Sequence, residues 1–255
     1  MGIALHKRKS SGSTLMTEGT IWKHILLFSI PLILGNMLQQ LYNTVDSIVV
    51  GNSLGSEALA AVGSSSSLIS LLISFSMGAA AGAGVIVSQF IGAQNKKGIH
   101  ESVHTALAIA LILGVVLTVL GITLSPQILR WMGTPDEVMP QSVIYLRLYF
   151  AGLLFSVLYN MASGILNAVG NSKRSLLYLA IASFTNIVLD LLFIPVLKMG
   201  IAGAAIATDI SQVLSAVLCM LYLMRVDESY KVALRKIRIH KEVAVRIIQV
   251  GVPTA

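Results

Sequence analysis

The feature that most constrains this chain is a series of six long apolar segments separated by short polar connections. A helix needs about 20 mostly apolar residues to cross the hydrocarbon core of a bilayer, and each segment reaches that length. Strands of a membrane β-barrel are only about ten residues long and alternate strictly, so these segments predict helices. We therefore predict six membrane spans, at approximately 24–50, 58–91, 103–124, 138–160, 175–197 and 201–223.

The composition argues against a soluble protein in which these segments form an ordinary core. Charged residues make up 11% of the 255 positions and apolar residues 55%, whereas a soluble domain carries about 25% charged residues. Too few charged side chains remain to cover a surface that faces water. Cys219 is the single cysteine, so an internal disulfide is excluded, and no Cys/His spacing indicates a zinc site.

The positions of the basic residues predict the orientation of the spans. Cytoplasmic loops hold the excess of Lys and Arg. We therefore predict a multi-pass protein of the cytoplasmic membrane with its N-terminus inside. The same distribution accounts for the net charge of +7, so no nucleic-acid partner is needed to explain it. Fifteen of the 18 basic residues fall on the predicted inner side: Lys7, Arg8, Lys9, Lys23, Lys96, Lys97, Lys173, Arg174, Arg225, Lys231, Arg235, Lys236, Arg238, Lys241 and Arg246.

The opening of the first span recurs near the end of the chain. A basic residue precedes a proline by seven positions in both 24–31 and 246–253, at an offset of 222. Transporters are often built from two repeated halves. On this interpretation the chain is a fragment whose C-terminal lobe is missing. The predicted parts are a cytoplasmic N-terminal segment (1–22), a six-helix lobe (23–224), a cytoplasmic amphipathic linker (225–244) and the start of a seventh helix (245–255).

The linker pattern fits two arrangements equally well. One is a segment that lies along the inner membrane surface, and the other is a solvated linker helix. In either arrangement the linker separates the six-helix lobe from the part of the protein that begins with the seventh helix.

Three acidic residues lie within the predicted spans, where charged groups are costly and usually functional. The helical rise places Asp190 and Thr208 about 10 Å from the outer edge of the membrane, with Asp46 somewhat shallower. Asn186 precedes Asp190 by four residues, so both face the same side of the fifth span. These four residues can meet in one chamber. The third acid, Asp209, points about 100° away from Thr208 and is not expected in it.

The chemistry of this chamber leaves alternatives open. A carboxyl group buried beside a second one can bind and release a proton near neutral pH. The same oxygens, with the amide and the hydroxyl, can instead ligate a hard cation such as Na⁺. The structural alternative is that each Asp pairs with a neighbouring polar group and only fixes helix packing. No phosphate-binding loop is found, so we expect H⁺ or Na⁺ as the coupling ion, no cofactor and no enzymatic activity.

Pro31 removes a backbone hydrogen bond from the first span and predicts a kink. The kink can serve a bending movement linked to protonation, or it can be static, as many kinks in membrane helices are.

Four segments together resemble the multidrug and toxic compound extrusion (MATE) transporters. They are residues 30–46 in the first span, 164–171 at the end of the fourth, Asn186-x3-Asp190 in the fifth and 203–208 in the sixth. The resemblance implies an all-α membrane protein whose six-helix transmembrane bundle is one lobe of a twelve-helix, two-lobe transporter. It also implies export of cationic, amphipathic small-molecule drugs in exchange for H⁺ or Na⁺.

The resemblance further implies which residues form the site. The cation or proton site would be Asp46, Asn186, Asp190 and Thr208, the kinking proline would be Pro31, and the cavity-lining residues would be Gln39, Tyr145 and Asn160. Two other functions remain as alternatives. A flippase for lipid-linked precursors would need a strongly cationic lumen, yet only Arg147 approaches the membrane interior. The third possibility is a truncated product that does not transport.

Overall fold

The computed structural model describes residues 21–254, and within that range the chain is a bundle of long helices without strands. The predicted N-terminal segment lies outside the described residues apart from its last two positions. A π-helical turn, Leu192–Val196, extends the fifth helix. The helices are α1 Ile21–Leu54, α2 Ser56–Gly92, α3 Lys96–Trp131, α4 Met139–Ala168, α5 Ser172–Leu191, α6 Ile201–Arg225 and α7 Lys241–Gly251.

Five of the described helices, α2 to α6, are long and apolar enough to cross a membrane. The chain is therefore an all-α membrane protein built on a bundle of six long helices, as predicted. The sixth of these, α1, has 34 residues but is not among the five, and several side chains at its start lie outside the described part. Large apolar side chains are exposed along α1, including Ile30, Ile33, Met37 and Leu41. Membrane crossing by α1 itself stays a prediction.

The helices are longer than the apolar segments that predict them. Helix α3 has 36 residues, about 54 Å at the helical rise, against a hydrocarbon core of about 30 Å. Its polar ends therefore extend beyond that core. Helix α7 likewise begins at Lys241, four residues earlier than the apolar pattern indicates. The connection before it is not a continuous helix, since it contains a single 3₁₀ turn, Leu234–Lys236.

Small residues allow α2 to approach two other helices closely. A Cβ atom added to Gly164 of α4 would lie 2.8 Å from the carbonyl oxygen of Ala80, and one added to Gly251 of α7 would lie 2.9 Å from that of Gly78. Such distances leave no room for a side chain. The small-residue run 78–84 of α2 thus serves close helix packing.

The connection between α6 and α7 is bound to α3 by three hydrogen bonds. The backbone N–H of Ala233 donates to His104 Nε2 at 3.1 Å. Thr105 Oγ1 accepts from the N–H of His240 at 3.1 Å and donates to the carbonyl oxygen of Arg238 at 3.4 Å. Both α3 side chains are buried. We call the segment from Ala233 to His240 the strap.

Replacing Thr105 with Val should release the strap. The change keeps the side-chain shape but leaves the His240 N–H without its acceptor, which costs about 1–3 kcal/mol. Limited trypsin digestion at Arg235 and Lys236 should then be about 5- to 150-fold faster, because cleavage follows the population of the open form. Thr105→Ser keeps the hydroxyl and is the matched control. Equal cleavage rates in the two variants would show that Thr105 does not hold the strap.

Candidate cation site between α1, α5 and α6

One face of α5 carries the polar residues of the candidate site. Ser183, Asn186 and Asp190 recur at spacings of three and four residues, which places them on one side of the helix. Their exposed fractions are 3%, 1% and 0%. Helix α5 packs against α1 and α6, which contribute Asp46 and Thr208, each 8% exposed.

The side chains from these helices meet in one chamber. Asn186 Nδ2 donates to Thr208 Oγ1 at 3.4 Å, which joins α5 to α6. The carboxyl groups of Asp46 and Asp190 lie near each other at the contact between α1 and α5. Tyr145 of α4 is 4% exposed and lies near both carboxyl groups. The structure therefore brings together the four predicted site residues and one of the predicted cavity-lining residues.

Four oxygen atoms of this chamber are buried and accept no hydrogen bond from any residue in the range 21–254. They are Oδ1 of Asp46, Oδ1 and Oδ2 of Asp190, and Oδ1 of Asn186. Because the Asn186 amide donates to Thr208, its oxygen remains free to bind another group. Buried acceptors without donors are costly, and a proton or a hard cation held among them would remove that cost.

An apolar layer covers the chamber toward the end of the bundle where α1 ends. It consists of Val50, Ile194 and Ala204. Val50 and Ile194 follow Asp46 and Asp190 by four residues, and Ala204 precedes Thr208 by four. Each therefore lies about one helical turn nearer to that end than its polar neighbour. All three are at most 1% exposed and belong to one apolar cluster. An apolar layer of this kind would keep water at that end of the bundle from the carboxyl groups.

The π-helical turn that follows Asp190 positions part of this layer. Pro195 has no N–H, so it cannot donate the α-helical bond to the residue four positions earlier. The turn is instead closed by wider bonds, from the N–H of Leu197 to the carbonyl oxygen of Leu192 and from Met199 to Phe193, both at 2.9 Å. Such turns are frequent at functional sites. In the sequence, Pro195 could have indicated an irregular turn at this place. It does not predict that the turn is π-helical.

None of the remaining predicted site residues donates a hydrogen bond to the four buried oxygens. Gln39 interacts with the hydroxyl of Tyr42 on the same helix. Asn160 Nδ2 donates to Ser76 Oγ at 3.2 Å and lines a cavity of about 640 Å³ between α2 and α4. The residues that line this cavity are all neutral. Pro31 lies inside α1, which continues as a helix to Leu54.

Asp209 faces away from the chamber, as its position beside Thr208 predicts. Its carboxyl group lies against Gly152 of α4, where a Cβ atom would collide with it. Thr208, in contrast, contacts Asn186 of α5. The two neighbours therefore serve different helix contacts.

Sequence reasoning missed three polar residues near the site. Ser183 is buried on the same face of α5 as Asn186, and its hydroxyl has no partner among the described residues. Tyr42 precedes Asp46 by four residues. Tyr149 of α4 lies near Tyr42, Asp209 and Asp46. Each of the three lies three or four positions from a predicted site residue: Ser183 from Asn186, Tyr42 from Asp46 and Tyr149 from Tyr145. Helical spacing could therefore have identified them in the sequence.

The family model and the related proteins that match this sequence agree with one another. The sequence matches the MatE family over residues 31–192. The probable multidrug resistance protein YoeA of Bacillus subtilis (strain 168) is 35% identical over 94% of this chain and 53% of its own length. The multidrug export protein MepA of Staphylococcus saprophyticus is 24% identical over 92% of this chain and 52% of its own length. The chain thus spans about half the length of the curated relatives that it matches.

A solved structure shares the fold. The crystal structure of MATE in the bent conformation matches with a TM-score of 0.87 and 33% identity, over 92% of this chain and 53% of that one. The bundle described above therefore has the architecture of one lobe of a two-lobe transporter. The chain belongs to the multidrug and toxic compound extrusion (MATE) family of membrane transporters and corresponds to the N-terminal half of such a protein.

Proposed function

We propose that this lobe belongs to a secondary active multidrug exporter, in which the chamber of Asp46, Asn186, Asp190 and Thr208 binds H⁺ or Na⁺ in exchange for drug. The observation that carries the proposal is the group of four buried oxygens without hydrogen-bond donors among the described residues. Family membership supports multidrug export, and no enzymatic step is part of the proposal.

Helix α1 connects the ion site to the drug cavity in this proposal. It carries Asp46 in the chamber, and Phe28 of the same helix lines the cavity between α2 and α4. Pro31 lies between these two residues. Loss of the bound cation would leave Asp46 and Asp190 to repel each other across the contact between α1 and α5. Bending of α1 at Pro31 would then move Phe28 and change the shape of the cavity.

The cavity between α2 and α4 is proposed as this lobe's part of the drug pathway. Its volume of about 640 Å³ is in the range of small-molecule sites, which are mostly apolar with a few polar groups. Asn160, Asn167 and Gln89 supply amide groups in a lining of otherwise small and apolar residues. A second six-helix lobe would form the opposite wall. Cationic, amphipathic drugs fit such a neutral, partly polar surface.

The orientation is also proposed. Most of the basic side chains lie at one end of the bundle, at the starts of α3 and α5, the end of α6, in the strap and in α7: Lys96, Lys97, Lys173, Arg174, Arg225, Arg235, Lys236, Arg238, Lys241 and Arg246. Since Lys and Arg are retained on the cytoplasmic side, this end faces the cytoplasm, with the N-terminus on the same side. The apolar layer over the chamber then lies toward the outside.

Opposed ion gradients test the proposed exchange. Proteoliposomes that contain the complete transporter would be loaded with a fluorescent cationic drug and given either a pH gradient or a sodium gradient. We expect one of the two gradients to drive drug movement against its concentration, and its reversal to reverse the movement. Drug movement that is indifferent to both gradients would overturn ion exchange as the mechanism.

A further inference from the structure

We propose that a cleft between the start of α3 and the strap binds the phosphate group of an anionic membrane lipid. The cleft has a volume of about 650 Å³, and we call it the basic cleft. Its cationic side chains come from two segments of the chain: Lys96 and Lys97 from α3, and Arg235, Lys236 and Arg238 from the strap.

The charge of the basic cleft is not balanced by the protein. Glu101 is the one acidic residue in its lining. It lies 3.8 Å from Lys97 Nζ and 3.9 Å from His240 Nδ1, and His240 Nε2 accepts a hydrogen bond from Arg238 Nε at 3.1 Å. No ion pair is described for Lys96, Arg235 or Lys236 within residues 21–254. Five Lys and Arg side chains around one carboxylate repel one another unless an anion joins them.

Specific hydrogen bonds, and not the charge pattern alone, assemble this cluster. His104 Nδ1 lies 2.7 Å from the carbonyl oxygen of His100 and its Nε2 accepts from the strap, so both ring nitrogens are engaged. Thr105 binds the strap at two further points. Basic residues that only set the orientation in the membrane would need no such fixed positions. The excess of Lys and Arg in cytoplasmic loops acts through the number of basic residues on each side of the membrane, and not through their exact placement.

The surroundings of the cleft favour a lipid over a soluble phosphate. Two strap residues beside the cationic ones, Leu234 and Ile239, have exposed fractions of 59% and 46%. Exposed apolar side chains alternating with cations are typical of segments that lie at a membrane surface. The α3 end that opens on the cleft precedes the membrane-spanning part of that helix, and basic pockets at such places bind anionic headgroups. This placement rests on the proposed orientation, not on the proposed ion exchange.

Lipid titration of the purified protein in a neutral detergent tests the proposal. Phosphatidylglycerol, phosphatidylcholine and inorganic phosphate would each be added, and bound ligand would be counted by native mass spectrometry. We expect phosphatidylglycerol to bind more tightly than the other two. Each basic residue near an anionic lipid contributes about a fivefold effect, so the double variant Arg235→Gln/Lys236→Gln should bind about 25-fold more weakly by the same rule.

Two exposed basic residues outside the cleft provide the control. The double variant Lys173→Gln/Arg225→Gln removes the same charge from the same end of the bundle and should bind phosphatidylglycerol as the unaltered protein does. Equal weakening in both double variants, or equal binding of phosphatidylglycerol and phosphatidylcholine, would overturn the site. Inorganic phosphate binding as tightly as the lipid would overturn the assignment to a lipid. Thr105→Val should weaken lipid binding as well, since it releases the strap that carries the cations.

Discussion

Replacing Asp190 with Asn should abolish ion-driven drug export by the transporter that contains this lobe. Asp190 supplies two of the four buried oxygens that lack donors among the described residues, and it is fully buried. The amide keeps the size of the side chain but removes the negative charge. Interactions with a charged group contribute about 1.5–3 kcal/mol, so cation affinity should fall about 10- to 150-fold. Drug resistance of expressing cells and drug movement in vesicles would both report the loss.

Asp209→Asn is the matched control for this variant. It makes the same chemical change at a half-buried position of the neighbouring helix, but Asp209 lies against Gly152 and not in the chamber. Protein amounts in the membrane should be equal for both variants. Full drug resistance in Asp190→Asn, or equal loss in Asp209→Asn, would remove Asp190 from the exchange mechanism.

Replacing Ile194 with Ser should produce an ion leak in the absence of drug. Ile194 is 1% exposed and forms part of the apolar layer that covers the carboxyl groups. Burying such a side chain contributes about 1.5–3 kcal/mol, so the Ser variant should admit water to the chamber about 10- to 150-fold more often. Proteoliposomes with an ion-sensitive dye inside would show faster dissipation of the driving gradient, and drug accumulation would fall with it.

Val196→Ser separates this effect from general damage to the π-helical turn. Val196 lies in the same turn but is 65% exposed and does not face the chamber. It should leave the gradient and the drug accumulation unchanged. A leak of equal size in both variants would mean that disturbance of the turn, and not loss of the apolar layer, opens the path.

Much of the fold and the candidate site followed from the sequence because helical periodicity governs both. Apolar length predicts α2 to α6, and the four-residue spacing of Asn186 and Asp190 places them on one face of α5. Estimates of depth along each helix predict that Asp46, Asp190 and Thr208 lie in the same half of the bundle. These inferences need only the helical rise and the turn angle.

Contacts between residues far apart in the sequence could not be predicted in this way. The strap contacts Thr105 across more than 130 positions of sequence. The order of charges along the chain does not indicate that the basic side chains of the strap lie near Lys96 and Lys97. The width of the turn at Pro195 depends on which carbonyl groups accept the displaced bonds. The resemblance implies that Asn160 lines a cavity, but it does not imply that the amide of Asn160 donates to Ser76 of α2.

Drug-triggered ion movement tests the central claim most directly. The complete transporter, reconstituted with a pH-sensitive or sodium-sensitive dye inside the vesicles, would receive a cationic drug without any preset gradient. We predict an ion movement opposite to the drug in the unaltered protein, and none in Asp190→Asn, while drug binding persists in both. Ion movement of the same size in Asp190→Asn would contradict the assignment of ion exchange to the chamber formed by α1, α5 and α6.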